Sequence, residues 1–326
     1  MRWNASILQR RWQMSNLEKK VLELDKITEQ RKFNSVPKID FLQYLHQREA
    51  ENDNIKKVAD FKDDLIEKLS GKTAQGATMP WVKTHEQVKF RPAEVSMWTG
   101  FNGHKKSMVL GYIALDLIRQ HEPVCIASFE MKPVSTIKRM LCQAAGTLQP
   151  TNLAVDKFLD FCKNDLWLYD KQGTVTPEIM YGVIYYAAEK LGVKHFIIDS
   201  LMRVVAGEDD YNAQKDFVSK LCDIALETNI HIHFVHHNRK GDETKPAGRY
   251  GAKGSGSLSD NVHNAFEVHQ RYKKDDEGET DFPDMFIICD KQREGEWEGS
   301  IGLWFDEKSL QFLGTKDGRV RNWLGA

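Results

Sequence analysis

Gly100-Phe101-Asn102-Gly103-His104-Lys105-Lys106-Ser107 is the stretch whose reading decides the fold. Directly before it, Val95–Thr99 is a short apolar run that reads as a strand. Directly after it, Met108–Gln120 carries Val109, Ile113 and Leu117 on one face of a helix. A loop set between strand and helix and ending in Lys106-Ser107 almost fits the pattern G-x-x-x-x-G-K-[ST]. In that pattern backbone N–H groups cradle phosphates, the lysine reaches the terminal phosphates and the hydroxyl holds Mg²⁺. Gly100, Asn102, Gly103, His104, Lys105, Lys106, Ser107 and Met108 are therefore the candidate nucleotide-binding residues. One position departs: Lys105 stands where the pattern has glycine. Glycine suits a left-handed backbone close to phosphate, and a side chain there costs about 1 kcal/mol or more. Two readings stay open, a working loop with an unusual residue and a loop that binds nucleotide poorly. A polar turn without any ligand is the plainer third.

Outward from the loop, strands and helices alternate. Val124–Phe129 reads as a strand, Val134 to Ala145 as a helix, Leu166–Tyr169 as a strand and Pro177–Leu191 as a helix. His195–Ile198 follows as a strand, Ala213–Thr228 as a helix and His231–Val235 as a strand. Then come Ala265–Gln270, Met285–Cys289 and Ser300–Phe305, strands with no long helix between them. Alternation followed by a run of strands predicts an α/β fold: a mostly parallel sheet with helices on both faces and antiparallel edge strands. Residues 1 to about 70 read instead as charged helix, with Leu17, Val21, Leu24 and Ile27 in one piece. Ile55, Val58, Leu65 and Leu69 keep the same spacing in a second piece, beyond Pro37. Gly71–Pro80 is small and polar, a linker. The expected division is a helical arm and linker over 1–79 and a catalytic domain over 80–326.

Composition excludes some classes. Lys and Arg (46) nearly equal Asp and Glu (47), so net charge argues neither for nor against a polyanion, and any such face is local. The five cysteines are scattered and odd in number, which favours reduced thiols over a disulfide framework or zinc site. No apolar run is long enough for a membrane span, and Arg2, Arg10, Arg11 and Lys19 interrupt any signal-peptide core. The expectation is a cytoplasmic protein without a membrane partner.

Two carboxylates suit a phosphate site. Asp199 ends the apolar run His195–Ile198, where a metal-water ligand sits at the carboxyl end of a strand. Glu130 follows Val124–Phe129, placed for a general base on an attacking water, or simply facing solvent. His231, His233, His236 and His237 do not read as a metal site, because strand alternation separates His231 and His233 from His236.

Taken together, Glu130-Met131, Asp199 and Lys291-Gln292-Arg293, in this order and spacing, resemble the DnaB family of hexameric replicative helicases. Phage primase–helicases and the mitochondrial Twinkle helicase belong to the same wider group, and the resemblance covers roughly residues 80–315. It implies a RecA-like P-loop NTPase core that uses ATP or another NTP with Mg²⁺. Lys106 and Ser107 would bind phosphate and metal, Asp199 would be the second metal ligand, and Glu130 the catalytic base. His236 would sense the terminal phosphate, while Lys291 and the arginine finger Arg293 would reach into a neighbour's site. A guanidinium supplied in trans ties hydrolysis to assembly; an exposed turn is the plainer reading of those residues alone. The implied assembly is a homo-oligomer, a hexameric ring on single-stranded DNA, its arm docked on the adjacent subunit, with a primase or helicase loader as partner. A bacterial or phage-infected cell is the implied setting, the mitochondrial matrix an alternative. For DNA, the stretch 238–259 offers Arg239, Lys240, Arg249 and Lys253 with Gly254, Ser255 and Gly256, suited to tracking phosphates. The stretch 203–214 is too acidic. Two other classes remain, a helicase-shaped binding subunit with impaired turnover and a filament-forming recombination ATPase.

Overall fold

Val95–Thr99 forms the expected strand, β1, and every residue in it is buried. The computed structural model describes residues 39–47, 57–70, 76–171, 173–205, 210–238, 242–248, 256–272 and 281–325. After β1 come helix α3 (Lys106–Arg119), strand β2 (Val124–Ser128), helices α4 (Pro133–Ala145) and α5 (Asn152–Cys162), and strand β3 (Leu166–Leu168). Helix α6 (Pro177–Leu191), strand β4 (His195–Asp199), helix α7 (Tyr211–Thr228) and strand β5 (His231–Val235) continue the alternation. The last part holds helix α8 (Gly256–Asn261) and strands β6 (Asn264–Gln270), β7 (Met285–Gln292), β8 (Gly299–Asp306) and β9 (Gln311–Leu313). Ahead of the sheet lie α1 (Phe41–His46) and α2 (Lys62–Leu69). Among the described residues no helix is long and apolar enough to cross a membrane.

The strands make one sheet in the order β3-β2-β4-β5-β1-β6-β7-β8-β9. Pairing is parallel from β3 through β6 and antiparallel from β6 to β9. The antiparallel edge thus begins with the β6–β7 pair. The connection from β5 carries the chain back, so β6 enters beside β1 in the same direction, with Met97 opposite Ala265. Helices cover both faces. Val109, Ile113 and Leu117 of α3 pack with Met140 of α4 and Phe158 of α5 on one side. Met180 and Ile184 of α6 pack with Phe217 and Leu221 of α7 on the other. Local chemistry sets the boundaries. Thr151 Oγ1 accepts from Ala154 N to start α5, Thr176 with Pro177 starts α6, and Asp210 caps α7.

Helix α5, strand β9 and the short α8 are additions to the sequence expectation. In the arm, Leu17, Val21, Leu24, Ile27, Pro37 and Ile55 lie outside the described residues. Val58 begins a 3₁₀ turn that leads into α2, where Leu65 and Leu69 are exposed. Of the small polar stretch before the sheet, Ala77 pairs with Phe90 and Met79 is buried in the core.

Helix α1 lies on α6. Phe41 meets Tyr169 and Tyr186 edge-on at 6.1 and 5.8 Å, and the Tyr44 hydroxyl donates to Glu189. The backbones approach so closely that a Cβ at Gly182 would overlap the Phe41 carbonyl oxygen. This contact requires glycine on α6.

His195, His231 and His233 share one sheet face, their ring centroids 4.4–5.6 Å apart, beneath Phe90. The hydrogen bonds form one neutral network. His231 Nδ1–H donates to the Arg91 carbonyl and Nε2 accepts from Ser96 Oγ. Trp98 Nε1–H donates to His233 Nδ1, which leaves His233 Nε2–H for His195 Nδ1. Burial lowers all three imidazole pKa values, His231 to about 3. Among the described residues no group of three or more His, Cys, Asp or Glu could hold a metal ion.

Candidate active site

The carboxyl ends of β1, β2, β4 and β5 open onto one cleft of about 830 Å³. That volume suits a nucleotide-sized ligand. Asn102, Gly103, Lys105, Lys106, Ser107 and Met108 line it from the loop, and Glu130, Asp199, His237 and Asn238 from the neighbouring strand ends. Gly100 leaves β1 with φ 146°, and a Cβ there would overlap the Val268 carbonyl oxygen, so the tight exit from the sheet needs glycine.

Lys106 is buried, and its Nζ donates to the carbonyls of Gly100 and Phe101 at 2.8 and 2.9 Å. Burial brings its pKa down to about 8, against the opposing charges of Asp199, Glu130 and Glu267. Ser107 and Asp199 line the same cleft, and burial raises the Asp199 pKa against the pull of the Ser107 hydroxyl. A hydroxyl and a carboxylate lining one cleft form an oxygen donor set that fits Mg²⁺, and Lys106 in the same lining fits a phosphate chain. Glu130 accepts from Ser200 Oγ at 3.2 Å and lies 3.7 Å from His237 Nε2. The His237 imidazole, helped by Ser200 and Arg203, holds the Glu130 carboxyl below the usual carboxylate range against the effect of burial.

Lys105 adopts the left-handed conformation that the motif demands, φ 61° and ψ 23°. Its Nζ donates to Gln270 Oε1 at 2.7 Å and lies 4.9 Å from the Phe305 ring centroid. The preceding His104 is fully buried and accepts from Gln270 N at 3.2 Å through Nδ1. Its imidazole pKa falls to about 4, mainly through burial. Two consecutive loop residues are thus tied to the end of β6.

Other expected residues lie elsewhere. His236 is fully buried and does not line the cleft; its neighbours His237 and Asn238 do. Lys291 and Arg293 do not line it either. Lys291 Nζ donates to the carbonyls of Ser259 and Asp260, and Arg293 donates to those of Asp260 and Asn261. Both cations sit over the carboxyl end of α8. Arg239, Lys240, Arg249, Lys253, Gly254 and Ser255 lie outside the described residues, and Gly256 begins α8. Sequence reading missed Arg139 of α4, which lines the cleft with Met131, Met202 and Arg203. A lone arginine on a helix carries no signal that could have found it. It also missed Glu267 on β6, fully buried and bonded to the chain on both sides of the stretch that follows β5.

A glycine-led loop that opens a helix with lysine and serine, facing a buried aspartate across a parallel sheet, is the local pattern of a P-loop, set here on a sheet of RecA-like topology. Residues 87–243, which carry Lys106, Ser107, Glu130, Asp199 and His237, match the family model described as an AAA domain. Among solved structures, the chain is similar to a DnaB-like replicative helicase described with its interactions with primase. The TM-score is 0.64 at 16% identity, over 96% of this chain and 80% of that one. It is also similar to a second solved structure, described as an ATPase domain, with TM-score 0.66 at 16% identity, over 79% of this chain and 99% of that one. The chain has the RecA-like fold of the DnaB-family helicases, as the order of its motifs implies.

Proposed function

We propose that this chain is the motor subunit of an ATP-dependent ring helicase that moves along single-stranded DNA during replication. The observation that carries the reading is the convergence of Lys106, Ser107, Asp199 and Glu130 in one nucleotide-sized cleft. In it, Lys106 neutralises phosphate charge, while Ser107 and Asp199 hold the metal. Bound ATP with Mg²⁺ supplies the phosphoryl group. Glu130 takes the proton of the attacking water, and its ionised state, favoured by His237 and Ser200, suits a base. His237 and Asn238, at the cleft wall, are better placed than His236 to sense the terminal phosphate.

Lys291 and Arg293 act in trans in this reading, which agrees with their absence from their own chain's cleft. The basic stretch 238–259 follows the phosphates of the strand without reading bases. Residues 1–79 form the arm and 80–326 the motor; α1 of the arm rests on α6 of its own chain, and α2, with Leu65 and Leu69 exposed, docks on the next subunit. Single-stranded DNA and further copies of this chain are the partners, and a primase or loader joins them by analogy with the similar helicase.

Separation of a fluorescent forked duplex tests this reading. Wild-type protein with ATP and Mg²⁺ opens the fork, and Arg293→Ala does not, although it still binds an ATP analogue. Wild-type protein that hydrolyses ATP yet separates no fork would refute translocation-driven unwinding.

A further inference from the structure

A second cavity, of about 220 Å³, lies at the opposite edge of the sheet from the phosphate loop, where β1, β2, β4 and β5 begin. It is much larger than one ordered water requires and smaller than a drug-sized site. Glu122 ahead of β2, Lys194 ahead of β4 and Asn229 ahead of β5 reach solvent at its rim. Ala77, Phe90 and His195 are its buried lining.

One hydrogen-bond donor faces this cavity without an acceptor. His195 Nδ1 accepts from His233 Nε2–H, so the His195 proton sits on Nε2. The nearest carboxylate oxygen to that nitrogen, Glu122 Oε2, is 3.9 Å away, beyond hydrogen-bond reach. Among the described residues no other acceptor bonds it, although the His195 side chain is only 3% exposed. Buried donors in folded proteins are paired, so an N–H left over at a cavity wall calls for an acceptor from outside the chain. The rim narrows what that acceptor belongs to. The Lys194 ammonium favours the ionised form of Glu122 against the burial that raises its pKa, yet among the described residues no ion pair joins the two. Opposite charges held apart beside one donor repel a lone anion at one point and a lone cation at the other. A small molecule that carries both charges satisfies all three groups.

We propose that this cavity binds a free amino acid with an apolar side chain, its ammonium on Glu122 and its carboxylate between Lys194 and His195 Nε2–H. Its side chain lies against Phe90 and Ala77. The site is separate from the nucleotide cleft and stands whether or not the chain is a helicase.

The test is saturation-transfer NMR and calorimetric titration of the full chain with L-leucine, and with isocaproate and isoamylamine, which lack its ammonium and its carboxylate respectively. Leucine is expected to bind, an ATP analogue with Mg²⁺ does not displace it, and each analogue binds about tenfold more weakly or worse. Glu122→Gln and Lys194→Gln change side chains that reach solvent, and circular dichroism checks that both variants fold. Each weakens leucine by a similar factor, while Glu122→Gln leaves isocaproate and Lys194→Gln leaves isoamylamine no weaker than before. No binding of leucine would overturn the proposal, as would displacement by the ATP analogue or unchanged affinity in both variants. Isocaproate or isoamylamine binding as tightly as leucine would refute the requirement for both charges.

Discussion

Lys105 is the residue whose chemistry most needs explaining. A left-handed, non-glycine backbone costs about 1–2 kcal/mol. A hydrogen bond returns about 0.5–1.5 kcal/mol and a cation–π contact at an exposed site about 0.5–1 kcal/mol. The bonds to Gln270 and Phe305 are therefore of the size needed to offset the strain. Lys105→Gly should change ATP-analogue affinity by no more than about fivefold in a fluorescence titration, since strain and tie disappear together. A hundredfold tightening would instead mean that the lysine obstructs the loop, and the reading of an impaired binding subunit would gain. Glu130→Gln is a second expectation at this scale. Loss of a general base lowers turnover by about 10²–10⁴-fold, with analogue binding retained. Turnover within tenfold of wild type would remove Glu130 from the base role.

At the scale of elements, the contact between α1 and α6 depends on the missing side chain of Gly182. Gly182→Val should displace α1 and speed chymotrypsin cleavage at Phe41 and Tyr44, followed by mass spectrometry. Unchanged cleavage would mean that α1 does not rest on α6 in solution. The elements also show what the sequence made legible. Buried strands such as β1, β4 and β5 are short, mainly apolar stretches set between polar segments, so their limits are readable to within a residue. Helix α5 has its signals too, the Thr151 cap and the buried Ala154, Phe158 and Cys162 at helical spacing. The exposed Leu153 and Leu159 blur that pattern. The loop lysine, serine and strand-end aspartate are legible because local pattern fixes them. His237 is not, because one residue of strand exit decides whether 236 or 237 faces the cleft. Glu267 is hidden for another reason. Its partners are about 20 to 30 residues away and meet it only after β6 enters beside β1.

The whole molecule carries a pH signature outside the cleft. His195, His231 and His233 stay neutral in the fold at pH values where free imidazole titrates, near 6.5. The unfolded chain then binds more protons than the folded one, so stability falls as pH drops below about 6.5. Each such group contributes up to about 1.4 kcal/mol per pH unit. Urea unfolding at pH 7.5 and 5.5 should show this loss, and His233→Phe should show a smaller one between the same pH values. Equal losses in both would place the acid sensitivity elsewhere. The function proposed from the cleft, the fold and the order of motifs is that of a P-loop ATPase stimulated by DNA. The most direct test is the rate of Mg²⁺-dependent ATP hydrolysis, with and without single-stranded DNA, for wild-type protein and Lys106→Ala side by side. The account predicts hydrolysis that single-stranded DNA stimulates and that Lys106→Ala abolishes. Absent hydrolysis, or hydrolysis that survives loss of the Lys106 ammonium, would contradict it.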